Sequence, residues 1–560
     1  MGSAVGNGPG LVHLAVGYWL ATRNSDVAPP DFHRITYRRG YIREARFAPD
    51  GQSILYTAAW DGGTPKVYST RFDSTESSEL PLDNTALLSV STRGALALLS
   101  KIRTGTFNDS GTLATASSAA NAPRELDTMV TFADWNPDGS ELALIRNSTE
   151  AHEWVLEYPR GNIIFRKKTK DGPLRSVRLA PEGDLLAIID YAGDDDGRVV
   201  LLDRKGNKKA QSPLYGAVLG CAWSADGREI WYTANMGSNK VIYGMDLRGK
   251  VRLVLRVPGA LALKDVSRRG RVLLCKEEIT TNTMFQGRGE KTERNLSWYS
   301  NTILDDLSDD GKTMTFIEGG EATEERWGEY LRRTDGSPAV RLGDYLFGKL
   351  SPDGNLVLAI TQFDEKVPST LAVLPTGPGT IRPFPVGKWS ILYSPRWNWL
   401  PDSKSFVFSA AEEGRRPRTL IQQMNGNPPV PITPEGVVGR HVTPDGKFLV
   451  TRDSPTTGVL YPLGEGAQVR IQGFLPGETM IRWHADGRRL FVAESSNNGW
   501  NVSLLEPYSG RREPWRQIHP SVDRTGLASM GHLILSADGE CFAYYVGHQL
   551  SQLYVVEGLH

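Results

Sequence analysis

The nine histidines, at positions 13, 33, 152, 441, 484, 519, 532, 548 and 560, are the first residues to test for chemistry, and no two have the spacing of metal ligands. No G-x-S-x-G elbow presents a nucleophilic serine, and no glycine-rich phosphate loop, H-R-D or D-F-G supports phosphoryl transfer. Walker A and H-E-x-x-H patterns do not occur either. The catalytic, cofactor-binding and metal-binding sets read from the sequence are therefore all empty, and no cofactor is expected. His484 stands just before a tight turn, where a packing or surface role is expected.

Two acidic clusters have the oxygen-rich composition that calcium favours: Asp190 with Asp194, Asp195 and Asp196, and Asp305 and Asp306 with Asp309 and Asp310. Neither has EF-hand spacing, and both are expected to be solvated turns. Basic runs occur at Arg34, Arg38, Arg39, Arg43 and Arg46, at Arg415, Arg416 and Arg418, and at Arg511, Arg512 and Arg516 around Trp515. The last could stack on single-stranded nucleic acid. Lys+Arg 64 against Asp+Glu 64 gives no global field for such a partner, so nucleic acid is not expected. Cys221, Cys275 and Cys541 lie in or beside apolar runs, too few for a disulfide framework, and read as buried thiols.

Residues 11–21 (LVHLAVGYWLA) form an apolar stretch about half the ~20 residues that span a bilayer. No basic segment precedes them as in a signal peptide. Membrane contact is expected only if this stub belongs to a longer helix.

The elements that must position any site are set by a short phrase that recurs twelve times: an apolar residue, a small or polar residue, Pro or Ala, then Asp-Gly. Its copies end at Gly51, Gly94, Gly139, Gly183, Gly227, Gly270, Gly311, Gly354, Ser403, Gly446, Gly487 and Gly539, at intervals of 41 to 52 residues. Strand-like runs flank every copy, and that period marks a β-propeller array. Asp suits the turn because its carboxylate bonds nearby N–H groups, and Gly because it takes positive φ. Each phrase opens on the apolar residue that ends an inner strand: Phe47, Val90, Trp135, Leu179, Trp223, Val266, Leu307, Leu350, Trp399, Val442, Trp483 or Leu535. Outer strands are sheet edges and tolerate proline, as in the cluster Pro428, Pro429, Pro431 and Pro434.

Twelve blades exceed the usual four to eight of one ring. The expected fold is all-β: two tandem six-bladed β-propellers of twelve four-stranded blades, each closed by its leading strand. Residues 1–30 would be the apolar stub and linker, 31–290 the first propeller and 291–560 the second. Residues 35–37 are expected to close the first ring and 295–298 the second, with the seam near 286–292 and residues 553–556 as the third strand of the last blade.

The phrases FAPDG, WNPDG, WSADG, LSPDG and VTPDG resemble the repeat signature of the TolB-like, WD-repeat-like propeller family. The stretches HRITYRRGYIREARFAPDGQSILYTAAWDG, NLSWYSNTILDDLSDDGKT, LRRTDGSPAVRLG and LAVLPTGPG are similar to the propeller regions that follow the membrane helix in multidomain bacterial serine/threonine protein kinases. The resemblance covers nearly everything from residue 31 onward. It implies a sensor or docking platform outside the cytoplasm; a free-standing propeller would instead be cytoplasmic. The kinase domain itself is absent, so no catalytic residue carries over.

The expected function is a non-enzymatic binding or sensor module taking a protein or peptide partner at a funnel mouth. The alternative is a propeller enzyme, a lyase, glycan hydrolase or peptidase-associated subunit, whose catalytic groups converge in a funnel from different blades.

Overall fold

All twelve turn phrases adopt one conformation. In the computed structural model the closing residue of each has φ between 53° and 83°. Its N–H donates to the carbonyl three residues earlier at 2.8–3.1 Å. The aspartate cements the turn: Asp50 Oδ1 accepts from the N–H groups of Gln52 and Ser53 at 2.9 and 2.8 Å. The structure describes residues 29–559, apart from 83, 104–108, 119–120, 149–150, 152, 193–195, 237–238, 258, 320–326, 362–368, 392–396, 453 and 497–498. The apolar stub at residues 11–21 lies outside them, as do Asp194 and Asp195. Among the described residues no helix is long and apolar enough to cross a membrane.

Among the described residues the fold is all-β, with one 3-10 turn at Thr169–Asp171 and antiparallel sheets. The first sheet runs Gly40–Phe47, Ser53–Trp60, Lys66–Arg71, Ser77–Glu79 from inner to outer strand. The next two are continuous, because the twelve-residue strand Arg124–Trp135 is outer strand to one and inner strand to the other. The fourth and fifth start at Leu174–Leu179 and Val218–Trp223. Most later sheets repeat the four-strand order, starting from Thr302–Leu307, Tyr345–Leu350, Gly439–Val442 and Thr479–Trp483.

Packing between neighbouring sheets supplies the core. Ala187, Ile189 and Tyr191 of the fourth sheet meet Cys221, Trp223, Ile230 and Tyr232 of the fifth. A fully buried side chain of the size of Ile189 or Ile230 contributes about 1.5–3 kcal/mol, and Ala187 less. The inner strand Ala260–Val266 of the sixth sheet packs against the first sheet's Gly40–Phe47 as well as against Val218–Trp223. Among the described residues, eleven inner strands show a register slip of a residue or more before the turn. Such bulges twist a strand sharply and re-aim the side chain at the slip.

The chain divides into two compact units, Met1–Glu278 with Leu550–His560, and Ile279–Gln549. This corrects the expected halves. The crossover falls at residue 278 rather than near 286–292, and the last eleven residues belong to the first unit. The cause is two unusually long strands, Val272–Gln286 and Phe542–Glu557, which each run on across the division. Residues 553–556 therefore complete the first unit's last sheet, ordered Ala260–Val266, Val272–Gln286, Phe542–Glu557, Asp31–Arg34. The leading strand pairs with them, His33 opposite Val555, and Ile35 N–H extends the ladder to Leu553 O at 2.8 Å. In the second unit Arg294–Asn295 pairs with Phe285 and Met284, slightly earlier than expected.

Candidate functional site

The six inner strands of the first unit end at one cavity of about 450 Å3. Its wall holds their closing residues Phe47, Val90, Trp135, Leu179, Trp223 and Val266. Arg46, Asp134, Arg178 and Asp265, each one position earlier on its own strand, bring four charges to the same wall. They come from four sheets, so no short sequence window contains them.

Arg178 lies between two carboxylates. It is ion-paired with Asp265, and its Nη1 is 3.9 Å from Asp134 Oδ1. Each carboxylate also ties down backbone on another sheet. Asp134 Oδ2 accepts the Leu179 N–H at 3.0 Å, and Asp265 Oδ2 accepts the Phe47 N–H at 3.0 Å. Arg46 donates to Lys264 O at 2.7 Å and to Glu44 at 2.6 Å. Burial pushes the Asp134 carboxyl up despite Arg178 and Arg46. Burial works against the Arg178 charge, but Asp134 and Asp265 outweigh it and hold the guanidinium protonated.

These charges neutralise one another and spend their hydrogen bonds on the scaffold. Groups left for a ligand are of two kinds. Glu182 and Arg268 are exposed at the rim, as is Thr92, whose hydroxyl donates to Pro137 O at 2.9 Å and keeps only its acceptor capacity. Below them, Trp135 Nε1 and Arg46 Nε are buried donors with no hydrogen-bond acceptor among the described residues. At the same position of other inner strands Trp223 Nε1 donates to Arg178 O at 3.1 Å and Trp399 Nε1 to Lys349 O at 2.9 Å, whereas Trp483 Nε1 in the second unit also finds no acceptor among the described residues. An unfilled buried donor costs about 1–3 kcal/mol, which an acceptor on a bound molecule would recover. A larger recess of about 1020 Å3 in the second unit lies along the edge strand Arg382–Phe384 and the prolines 428, 429 and 431, with Lys388 already paired to Glu412 at 3.1 Å.

In the second unit Asp305 and Glu329 are buried side by side. Asp305 is the slipped residue of Thr302–Leu307, and Glu329 stands on Gly328–Arg333. Gly348 N–H donates to Glu329 Oε2 at 2.9 Å, and Lys349 Nζ reaches Asp305 O at 2.8 Å and Asp306 Oδ1 at 3.2 Å. Asp305 Oδ2 and Glu329 Oε1 receive no donor from other groups among the described residues. Burial pushes the Asp305 carboxyl up to about 7 against the pull of Lys349, and burial with the Asp305 charge raises Glu329 well above its ordinary range. Two enclosed carboxyls so arranged share a proton.

The expected solvated turn at Asp305 and Asp306 is thus overturned, because the strand slip turns Asp305 inward. Asp306 Oδ2 accepts the Leu350 N–H at 3.0 Å, Asp309 pairs with Arg482, and only Asp310 serves a turn, accepting from Lys312 N–H at 3.0 Å. Asp190 is likewise buried between Lys167 and Arg198. His484 packs on Phe491 and Trp515, as its position suggested. Arg512 of the basic run pairs with Glu478 at 2.6 Å, and all three cysteines are buried and free. The mouth residues Arg46, Asp134, Arg178 and Asp265 were not singled out as a group by sequence reasoning. The signal lay in their shared place one residue before each strand's closing apolar residue.

No protein-family profile matches the chain, and no curated protein matches it. Among solved structures it is similar to TolB from Acinetobacter baumannii, 13% identical over 74% of this chain and 78% of that one, with a TM-score of 0.23. An oligogalacturonate lyase from Vibrio parahaemolyticus is 13% identical over 63% and 98%, with a TM-score of 0.28. The Cps50 (Swd1) β-propeller domain from Myceliophteria thermophila is 12% identical over 44% and 95%, with a TM-score of 0.30. Similarity of this order assigns neither a family nor an activity.

Proposed function

We propose that each unit is a six-bladed β-propeller and that the protein is a binding module whose first unit takes a peptide segment or loop of a partner protein at its mouth. The observation that carries this reading is the convergence of six strand ends on one cavity whose charges are mutually paired while Trp135 Nε1 and Arg46 Nε remain without acceptors. Backbone carbonyls of an extended segment are the acceptors such a site lacks, and the rim hydroxyl and charges of Thr92, Glu182 and Arg268 suit its polar flanks. The turn phrases' likeness to kinase-attached propellers fits the same role of sensing or docking platform.

The full chain serves as bait, beside a variant carrying Thr92→Ala, Glu182→Ala and Arg268→Ala. These side chains are exposed, so folding is spared. Partners recovered by the intact mouth should be lost or strongly depleted with the variant. Equal recovery by both chains rejects the mouth as the binding face.

A further inference from the structure

A second buried charge cluster of the first unit lies outside the mouth's wall. Lys240, on the strand Asn239–Asp246, and Lys264, the slipped residue of Ala260–Val266, share one carboxylate. Glu277 Oε2 is 3.7 Å from Lys240 Nζ, and its Oε1 is 3.8 Å from Lys264 Nζ. The side chains of Lys240, Lys264 and Glu277 are 16%, 12% and 7% exposed. Two ammonium groups thus divide one anion where little water reaches them, and both cannot be fully compensated.

The surroundings decide which one yields its proton. Burial works against the Lys264 charge, but the Glu277 and Glu44 carboxylates hold it, and the ammonium donates to Arg43 O at 3.2 Å. The neighbouring cations are committed elsewhere, Arg43 to Asp109 and Arg46 to Glu44. For Lys240 burial is the largest influence, opposed by Glu277 and reinforced by the Lys264 charge, and its amine is driven down. A desolvated lysine beside a second cation is the setting in which an amine becomes a nucleophile at neutral pH.

We propose that Lys240 is a carbonyl-reactive amine that forms an imine with a small aldehyde or 2-oxo acid. The nitrogen lone pair adds to the carbonyl carbon. Glu277 relays both protons lost by nitrogen to the former carbonyl oxygen, the first turning the alkoxide into a hydroxyl and the second letting it leave as water as the C=N bond forms. One water is produced, and nothing is oxidised or reduced. The limited exposure of Lys240 restricts the partner to a small molecule, and Lys264 beside it favours one carrying a carboxylate. This inference is independent of the mouth's binding role.

The test uses the full chain, glyoxylate and cyanoborohydride, which traps an imine as a stable secondary amine, with the modified lysines located by mass spectrometry of peptides. At neutral pH Lys240 should be labelled several-fold faster than Lys101 and Lys388, although those are each 68% exposed. Its rate should rise with pH through a lower midpoint than theirs. Lys264→Met removes the competing cation and should slow Lys240 labelling several-fold at neutral pH. Labelling of Lys240 no faster than of Lys101 and Lys388 overturns the proposal, as does a folded Lys264→Met chain in which Lys240 reacts unchanged. Should that variant fail to fold, a wild-type midpoint for Lys240 at or above those of the two exposed lysines overturns it equally.

Discussion

Asp265 Oδ2 accepts the backbone N–H of Phe47 at 3.0 Å, joining residues 218 positions apart. The same bond links Asp134 to Leu179 and Asp306 to Leu350, between consecutive sheets. Asp265 therefore does between the sixth and first sheets what its counterparts do between neighbours in sequence. It also neutralises buried Arg178.

Asp265→Ala should destabilise the first unit by about 3 kcal/mol, since removing one partner strands a buried charge and a buried N–H. Asp265→Asn keeps an acceptor for Phe47 and should cost less. Urea midpoints compare the two, and an unchanged midpoint for the alanine variant would show that this link carries no load.

The Asp305–Glu329 pair predicts stability that falls as pH rises. The Asp305 carboxyl is held up to about 7 in the folded protein, whereas an unfolded aspartate titrates near about 4. Between those values the native state holds a proton that the unfolded chain has released. The stabilisation is complete below about pH 4 and is lost as pH climbs through about 7. Glu329→Gln mimics the protonated partner, still accepting from Gly348 and donating to Asp305, and should flatten this dependence. Urea midpoints from pH 4.5 to 8 decide it, and an identical slope in the variant contradicts a shared proton.

A chain ending at residue 549 should lose the first unit selectively. It deletes Leu553, Val555 and Val556, each 0% exposed, and leaves Asp31–Arg34 without a partner. At about 1.5–3 kcal/mol per fully buried side chain the loss is about 5 kcal/mol or more, comparable to the whole stability of a domain. Limited proteolysis should cut the truncated chain within residues 31–60 while the second unit survives. Protection equal to the full chain would show that pairing of the last strand with Asp31–Arg34 does not hold the first unit together.

Gly94 and Gly311 separate backbone strain from crowding. Both have positive φ, 83° and 71°. A side chain at Gly94 meets open space, so Gly94→Ala should cost about 1 kcal/mol from the left-handed conformation alone. At Gly311 a Cβ would lie 2.7 Å from Cys541 Sγ, so Gly311→Ala should cost distinctly more. Equal shifts in thermal midpoint would mean that the turn relaxes freely away from Cys541.

The twelve turns, the apolar inner-strand ends and the proline-bearing outer edge were legible in the sequence because their causes are local. An aspartate reaches N–H groups two and three residues ahead, a glycine takes positive φ, and an edge strand needs no donor on its outer side. Ser403, where the glycine is missing, still adopts φ 53° because the rest of the phrase enforces the turn. Tertiary structure alone decided that residues 553–556 pair with the leading strand, since backbone hydrogen-bonding groups are the same on every strand and a segment joins whichever free edge the fold brings alongside. It also decided that Asp305 turns inward to Glu329, that Arg178 meets Asp134 and Asp265, and that Lys240 and Lys264 divide Glu277. A strand slip reverses the face a side chain occupies, and charges from separate sheets meet only where the sheets pack together.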